Sequence, residues 1–152
     1  MVDDNNTQAT QQPPKPYPGL KSLNKLVGTW KVPGPDIDGQ VTYEWMEGGF
    51  FLMQHVDLIH NGRKIKGLEI IGYERGFGAT EPGKDITSHL FDNAGNLFEY
   101  VWEVDDDTLT IWGGSKGSPA FYKGYWSDDG NTLTGSWVYP GGGGYESTVI
   151  RV

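Results

Sequence analysis

Three histidines and one carboxylate are the residues through which this sequence could do acid–base chemistry. His55 and His60 stand five apart within one apolar run, Phe50–His60. In an extended strand that spacing sends them to opposite faces, so they cannot form a two-histidine metal face. His60 abuts Asn61-Gly62 and is expected in water. His55 shares a face with Phe51, Met53 and Asp57, while Phe50, Leu52, Gln54, Val56 and Leu58 occupy the other. Both faces are partly apolar, so alternation alone does not choose the inward one. His55 is nevertheless the first candidate for the polar anchor of a cavity, because Met53 and Phe51 are apolar and Asp57 can orient its ring. His89, on a face with Asp85, Thr87 and Phe91, is the second candidate. Glu69, set between Leu68 and Ile70, is the third. Facing a dry cavity, it would be costly to ionise, its pKa would rise, and it could serve as acid or base. Facing outward, it would pair with a lysine such as Lys64 or Lys66. No metal site is expected from this set.

Other chemistries lack their residues. There is no cysteine, which excludes disulfides, thiolate metal sites and Cys nucleophiles. The G-x-S-x-G turn of a serine hydrolase is absent, and Gly114–Ser118 reads as a rim loop. Pro140–Gly144 is glycine-rich, but no lysine follows it to make a phosphate cradle. Asp128-Asp129-Gly130-Asn131 lacks the twelve-residue ligand spacing of a calcium loop.

Aromatic side chains are the most specific feature. Tyr43, Trp45, Phe98, Tyr100, Trp102, Trp112, Tyr122, Trp126, Trp137 and Tyr139 come from several separate segments, and Tyr43, Trp45, Tyr100, Trp102, Trp112 and Trp137 are the ones singled out. With Met53 and His55 they form the candidate ligand-binding set. Stacking faces with a few polar tips suit a planar, mostly apolar small molecule. Plain core packing and cross-strand pairing account for some of these aromatics.

The elements that must position these residues are strands. Val41, Tyr43 and Trp45 alternate with Thr42, Glu44 and Met46. Asn61-Gly62 then marks a hairpin turn between Phe50–His60 and Ile65–Tyr73. Ile86–Phe91, Leu97–Val104, Leu109–Trp112, Ala120–Trp126, Leu133–Tyr139 and Tyr145–Val152 continue the pattern, with tight turns between most of them. Glu44, Glu99 and Glu103 alternate with aromatics and are expected outward. Leu20, Leu23, Leu26 and Val27 carry helical spacing before Gly28. Residues 1–19, polar and then proline-rich, read as a disordered tail. Residues 20–152 read as one domain. About ten sequential strands leave two bad edges unless they close, so the expected fold is an all-β, up-and-down antiparallel barrel with a short N-terminal helix. A barrel somewhat larger than eight strands can hold a small ligand.

Gly28-Thr29-Trp30 stands where the helix hands over to the first strand, and Arg151 stands on the last. In a closed meander those strands are neighbours, and the guanidinium can stack on the indole at the barrel floor. This G-x-W and terminal basic residue resemble the lipocalin and calycin pattern. Together with Glu47–Leu52 and the run from Gly67 through Ile71-Gly72-Tyr73, the chain from about residue 20 onward resembles a lipocalin-like family of unknown function, domain-of-unknown-function group fifteen seventy-nine. That resemblance implies a fold and a cavity but no reaction. The nitrobindin-like haem barrels also begin with Gly-x-Trp, but they hold haem through a histidine near the C-terminal end. Here no histidine follows His89, so haem is not expected and no other cofactor is implied.

The 152 residues carry a net charge of −8, which argues against nucleic acid or an anionic membrane as the main partner. Glycine, at 23 residues, is about twice its usual ~7 % share, as a chain with many turns requires. No apolar stretch is long enough to span a membrane. Met1–Thr10 lacks the basic and apolar regions of a secretory leader, so the cytoplasm is the expected compartment. The expected assembly is a monomer or homodimer. The expected function is binding of a small hydrophobic or aromatic molecule in the barrel. The alternative is a cavity enzyme of isomerase, cyclase or hydrolase type using His55, His89 or Glu69, and a haem-binding barrel stands third. A His or Glu isolated in the cavity with a shifted pKa favours the enzyme, and titratable groups confined to the rim favour the binder.

Overall fold

Ten antiparallel strands close into a barrel in the computed structural model, which describes residues 14–152. The strands are β1 (Gly28–Lys31), β2 (Ile37–Trp45), β3 (Phe51–His60), β4 (Arg63–Tyr73), β5 (Ile86–Asp92), β6 (Leu97–Asp105), β7 (Thr108–Gly113), β8 (Phe121–Trp126), β9 (Thr132–Val138) and β10 (Tyr145–Arg151). Each pairs with its sequence neighbours, and β1 pairs with β10 to complete the ring. Closure leaves no open edge to recruit another chain. Asn61 and Gly62 both adopt positive φ, of 52° and 76°, as a two-residue hairpin turn requires. That turn sets His60 opposite Arg63 and therefore Gln54 opposite Glu69.

The helix before β1 is a 3-10 helix over Pro18–Leu26. Its sequence explains the type. Leu20, Leu23 and Leu26 recur every three residues, and in a 3-10 helix such residues lie directly above one another. All three are at most 2 % exposed and cap one end of the barrel. Residues 1–13 of the expected tail lie outside the described residues. Within its remainder, Pro18 begins the helix and Tyr17 packs edge-on against Phe50 and Tyr73, at 5.4 and 5.7 Å between ring centres. Ordered structure therefore begins ahead of Leu20.

The last carbonyls of a helix have no partners within it. Here the G-x-W segment and Arg151 supply them. Trp30 Nε1 donates to the Leu26 carbonyl at 2.8 Å. The Arg151 guanidinium donates to the carbonyls of Val27 and Lys25, at 2.6 and 2.8 Å. Gly28 has φ 125°, and a Cβ there would stand 2.8 Å from that guanidinium, so glycine is needed both for backbone and for space. Trp45 Nε1 donates to Asn24 Oδ1, and Lys25 Nζ donates to the Asp106 carbonyl. The helix is thus tied to the barrel end through polar contacts around its leucine face.

Candidate functional site

The interior is not solidly filled. A cavity of about 290 Å³ runs from Leu26 and Trp30, under the helix, to Tyr139 and Tyr145 at the other end, both of them exposed. Alternation places its lining. On β2, Val41 and Tyr43 face in. Tyr43 pairs with Gln54 on β3, and Gln54 with Glu69 on β4. Directly paired residues share a face of the sheet, so these three stand side by side inside the barrel.

Among the described residues Glu69 is the one charged group in the lining, and it is 4 % exposed. Its Oε1 accepts from Gln54 Nε2 at 2.9 Å and its Oε2 from Ser88 Oγ at 2.6 Å. Trp102 Nε1 donates to Ser88 Oγ at 2.9 Å. An indole N–H can only donate, so Ser88 accepts from Trp102 and turns its own proton toward the carboxylate. The short Ser88 contact is typical of a hydroxyl bonded to an ionised acid. Burial works against that ionisation. It pushes the Glu69 pKa up to about 7 from 4.5, while hydrogen bonds from Ser88 and Trp102 pull it down. Burial likewise raises the Tyr43 phenol well above 10, with the nearby Glu69 charge adding to it.

Nearer the open end the lining is aromatic. Trp137 is the hub, with Tyr122 at 5.6 Å, Tyr100 at 5.9 Å, and Tyr139 stacked at 5.9 Å with 10° between planes. Tyr122 lies along the wall because Gly124 and Gly135, paired across β8 and β9, have no side chains beneath it. A Cβ at Gly124 or Gly135 would stand 2.4 or 2.6 Å from the Tyr122 hydroxyl. Two glycines thus turn a bulky residue into a flat wall and leave the lumen free.

Several sequence candidates lie elsewhere. Tyr43, Tyr100, Trp102 and Trp137 line the cavity. Met53 and His55 are on the outward face of β3, where His55 Nε2 sits 3.1 Å from Glu44 in water. The expected anchor is thus corrected: Tyr43 fixes Gln54 as inward, and its neighbour His55 must point out. His89 is also outward, between Glu99 at 3.0 Å and Glu74 at 3.9 Å. Trp45 belongs to the inward row but is taken up by the helix contact with Asn24. Trp112 is on the outside, with the Lys116 ammonium 5.8 Å from its ring centre. Trp30 forms the cavity floor, with the Arg151 guanidinium stacked on its ring. Sequence reasoning missed Gln54 and Ser88. The Asn61-Gly62 turn was the signal for Gln54, since it places that amide opposite Glu69.

A second concavity, of about 480 Å³, lies on the outer wall between Gln40, His55, Asp57, Lys66 and Asn93. It is larger, but its walls are exposed polar side chains that water already satisfies. Among the described residues, no cluster of three or more His, Cys, Asp or Glu could hold a metal ion, and no helix is long and apolar enough to cross a membrane. Among the described residues no histidine lines the cavity, so the lining does not fit a haem held through an imidazole. The ten-stranded antiparallel barrel is consistent with a lipocalin- or calycin-like fold. No family model matches the chain, and no curated protein is a significant match to it.

Proposed function

We propose that this protein binds a small hydrophobic or aromatic molecule inside its barrel. The observation that carries the reading is the lumen itself. Its walls are apolar and aromatic, with a few convergent polar groups, as ligand sites generally are. Its volume is at the lower end of the ~300–1,000 Å³ usual for such sites, which suits an occupant of about two fused rings. Membership of domain-of-unknown-function group fifteen seventy-nine, a cytoplasmic location and a monomeric or homodimeric state belong to the same reading. Titration with neutral apolar dyes and flavonoid-sized molecules, followed by tryptophan emission and calorimetry, tests it. Saturable one-to-one binding that Trp137→Ala weakens is the expected result. Failure of every compound to bind removes the proposal.

Glu69 favours a second reading, proton transfer within the same cavity. A buried carboxyl titrating near neutrality is suited to general acid–base work, and phenols beside it could stabilise a developing oxyanion. Binding stands first because, among the described residues, the lining offers Glu69 no histidine or second carboxyl as a partner in proton transfer. Deuterium uptake from solvent at the carbon next to a bound ketone, lost in Glu69→Gln, would promote the enzyme reading.

A further inference from the structure

The charge of the lining narrows the class of ligand. Among the described residues, no lysine, arginine or histidine borders the cavity, and the single ionisable group below the phenols is Glu69. A carboxylate enclosed among aromatic walls lacks a counter-ion, and two neutral hydrogen bonds offset only part of its desolvation. The aromatic walls also present ring faces, which attract cations. We infer that the barrel selects its occupant by charge: the ligand is an aromatic molecule bearing a cationic nitrogen, seated against the Glu69 carboxylate, and anionic ligands are rejected. This rests on the binding proposal above.

The physical case has three parts. A second carboxylate in the lumen would face Glu69 with no cation to separate them, and like charges in a low dielectric repel strongly. A neutral ligand gains only the apolar contacts. An ammonium must shed its water, but it recovers an ion pair and the ring faces of Tyr100, Tyr122 and Trp137. The groups that would answer to pH around the site are Glu69 on β4, Tyr43 on β2, Tyr100 on β6, Tyr122 on β8, and Tyr139 and Tyr145 at the mouth. His60 stands beside Tyr145, 6.3 Å ring to ring. Burial raises all five phenols, leaving Glu69 as the group in the lumen that titrates near neutrality.

Three probes sharing one ring system test the inference: 1-naphthylmethylamine, 1-naphthylmethanol and 1-naphthoate, titrated calorimetrically into the full chain. At pH 8 the protonated amine should bind at least about tenfold more tightly than the alcohol, given ~1.5–3 kcal/mol for a charged hydrogen bond, and the carboxylate most weakly. Glu69→Gln should erase the amine's margin while leaving alcohol binding in place. Should that variant not fold, the wild type carries the test alone, its margin shrinking from pH 8 to pH 5.5 as Glu69 takes up a proton. Carboxylate or alcohol binding as tight as the amine, or a margin indifferent to both pH and Glu69→Gln, overturns the charge selection and leaves the cavity proposal intact. Failure of all three probes, together with the neutral dyes, overturns both.

Discussion

The guanidinium carbon of Arg151 lies 4.2 Å from the centre of the Trp30 ring, across the pairing that joins the last strand to the first. The two side chains together cap the helix: the indole bonds Leu26, and the guanidinium bonds Val27 and Lys25. Trp30→Ala should therefore destabilise by about 3–5 kcal/mol, the range for large buried aromatics. Arg151→Lys should cost about 2 kcal/mol despite keeping its charge, because an ammonium cannot reach both carbonyls and cover the ring. Urea unfolding of the variants measures both. An Arg151→Lys variant as stable as the wild type would show that the fork geometry is dispensable.

Glu69 makes stability depend on pH in the direction opposite to a salt-bridged acid. Its pKa is about 7 folded and 4.5 as an ordinary carboxyl. Between those values the folded chain binds more protons than the unfolded one, so stability falls as pH rises. The cost is complete above about pH 7 and amounts to roughly 3 kcal/mol. Glu69→Gln should flatten this slope and gain on the wild type toward pH 8. Denaturant midpoints at pH 4.5, 6 and 8 will show it; parallel profiles for the two proteins would contradict it.

His55→Ala should change neither ligand affinity nor stability by more than about 0.5 kcal/mol, as for other exposed side chains. Its ring stands outside the barrel against Glu44. Fluorescence separates the two sides of the wall. Ligand-induced changes in emission should survive Trp112→Phe and be reduced in Trp137→Phe, since Trp137 lines the lumen together with Trp30 and Trp102, whereas Trp112 does not. Loss of the signal in Trp112→Phe would place the ligand on the outer face.

Gly135→Ala should destabilise by about 1–3 kcal/mol through overpacking. The added methyl would meet the Tyr122 hydroxyl and the Lys123 carbonyl, and the carbonyl is backbone that cannot swing away. Tyr122→Phe removes one of three obstructions, leaving the Lys123 carbonyl and the Gly124 Cα, and should rescue only part of the loss. Thermal melts of the single and double variants test the coupling.

The barrel was legible because alternation, turn residues and the need to close the edges all agree. The site was legible in part. On β2 the contrast between Val41, Tyr43 and their polar neighbours is clean, whereas β3 carries apolar residues on both faces and cannot orient itself. Only its pairing decides, through Tyr43 against Gln54. That single step turns His55 outward and Glu69 inward. Trp112 misleads for another reason: aromatic character favours a strand without saying which side the ring faces, and here Lys116 covers it from solvent. Ser88 bears no pattern at all. Its role arises from Glu69 and Trp102, which the fold brings to either side of its hydroxyl.

Closing the ring joins residues about 120 positions apart, through only two direct pairings, Trp30 with Arg151 and Lys31 with Ile150. Bringing such distant points together costs about 4 kcal/mol of chain entropy by the logarithmic rule. Every other neighbour in the ring is a local hairpin that can form early. The β1–β10 seam is therefore the natural last step of folding, and the contacts of Arg151 with Val27, Lys25 and Trp30 stabilise it once formed. Amides along this seam should be the first in the barrel to exchange with solvent, because there the wall can part without unravelling any hairpin.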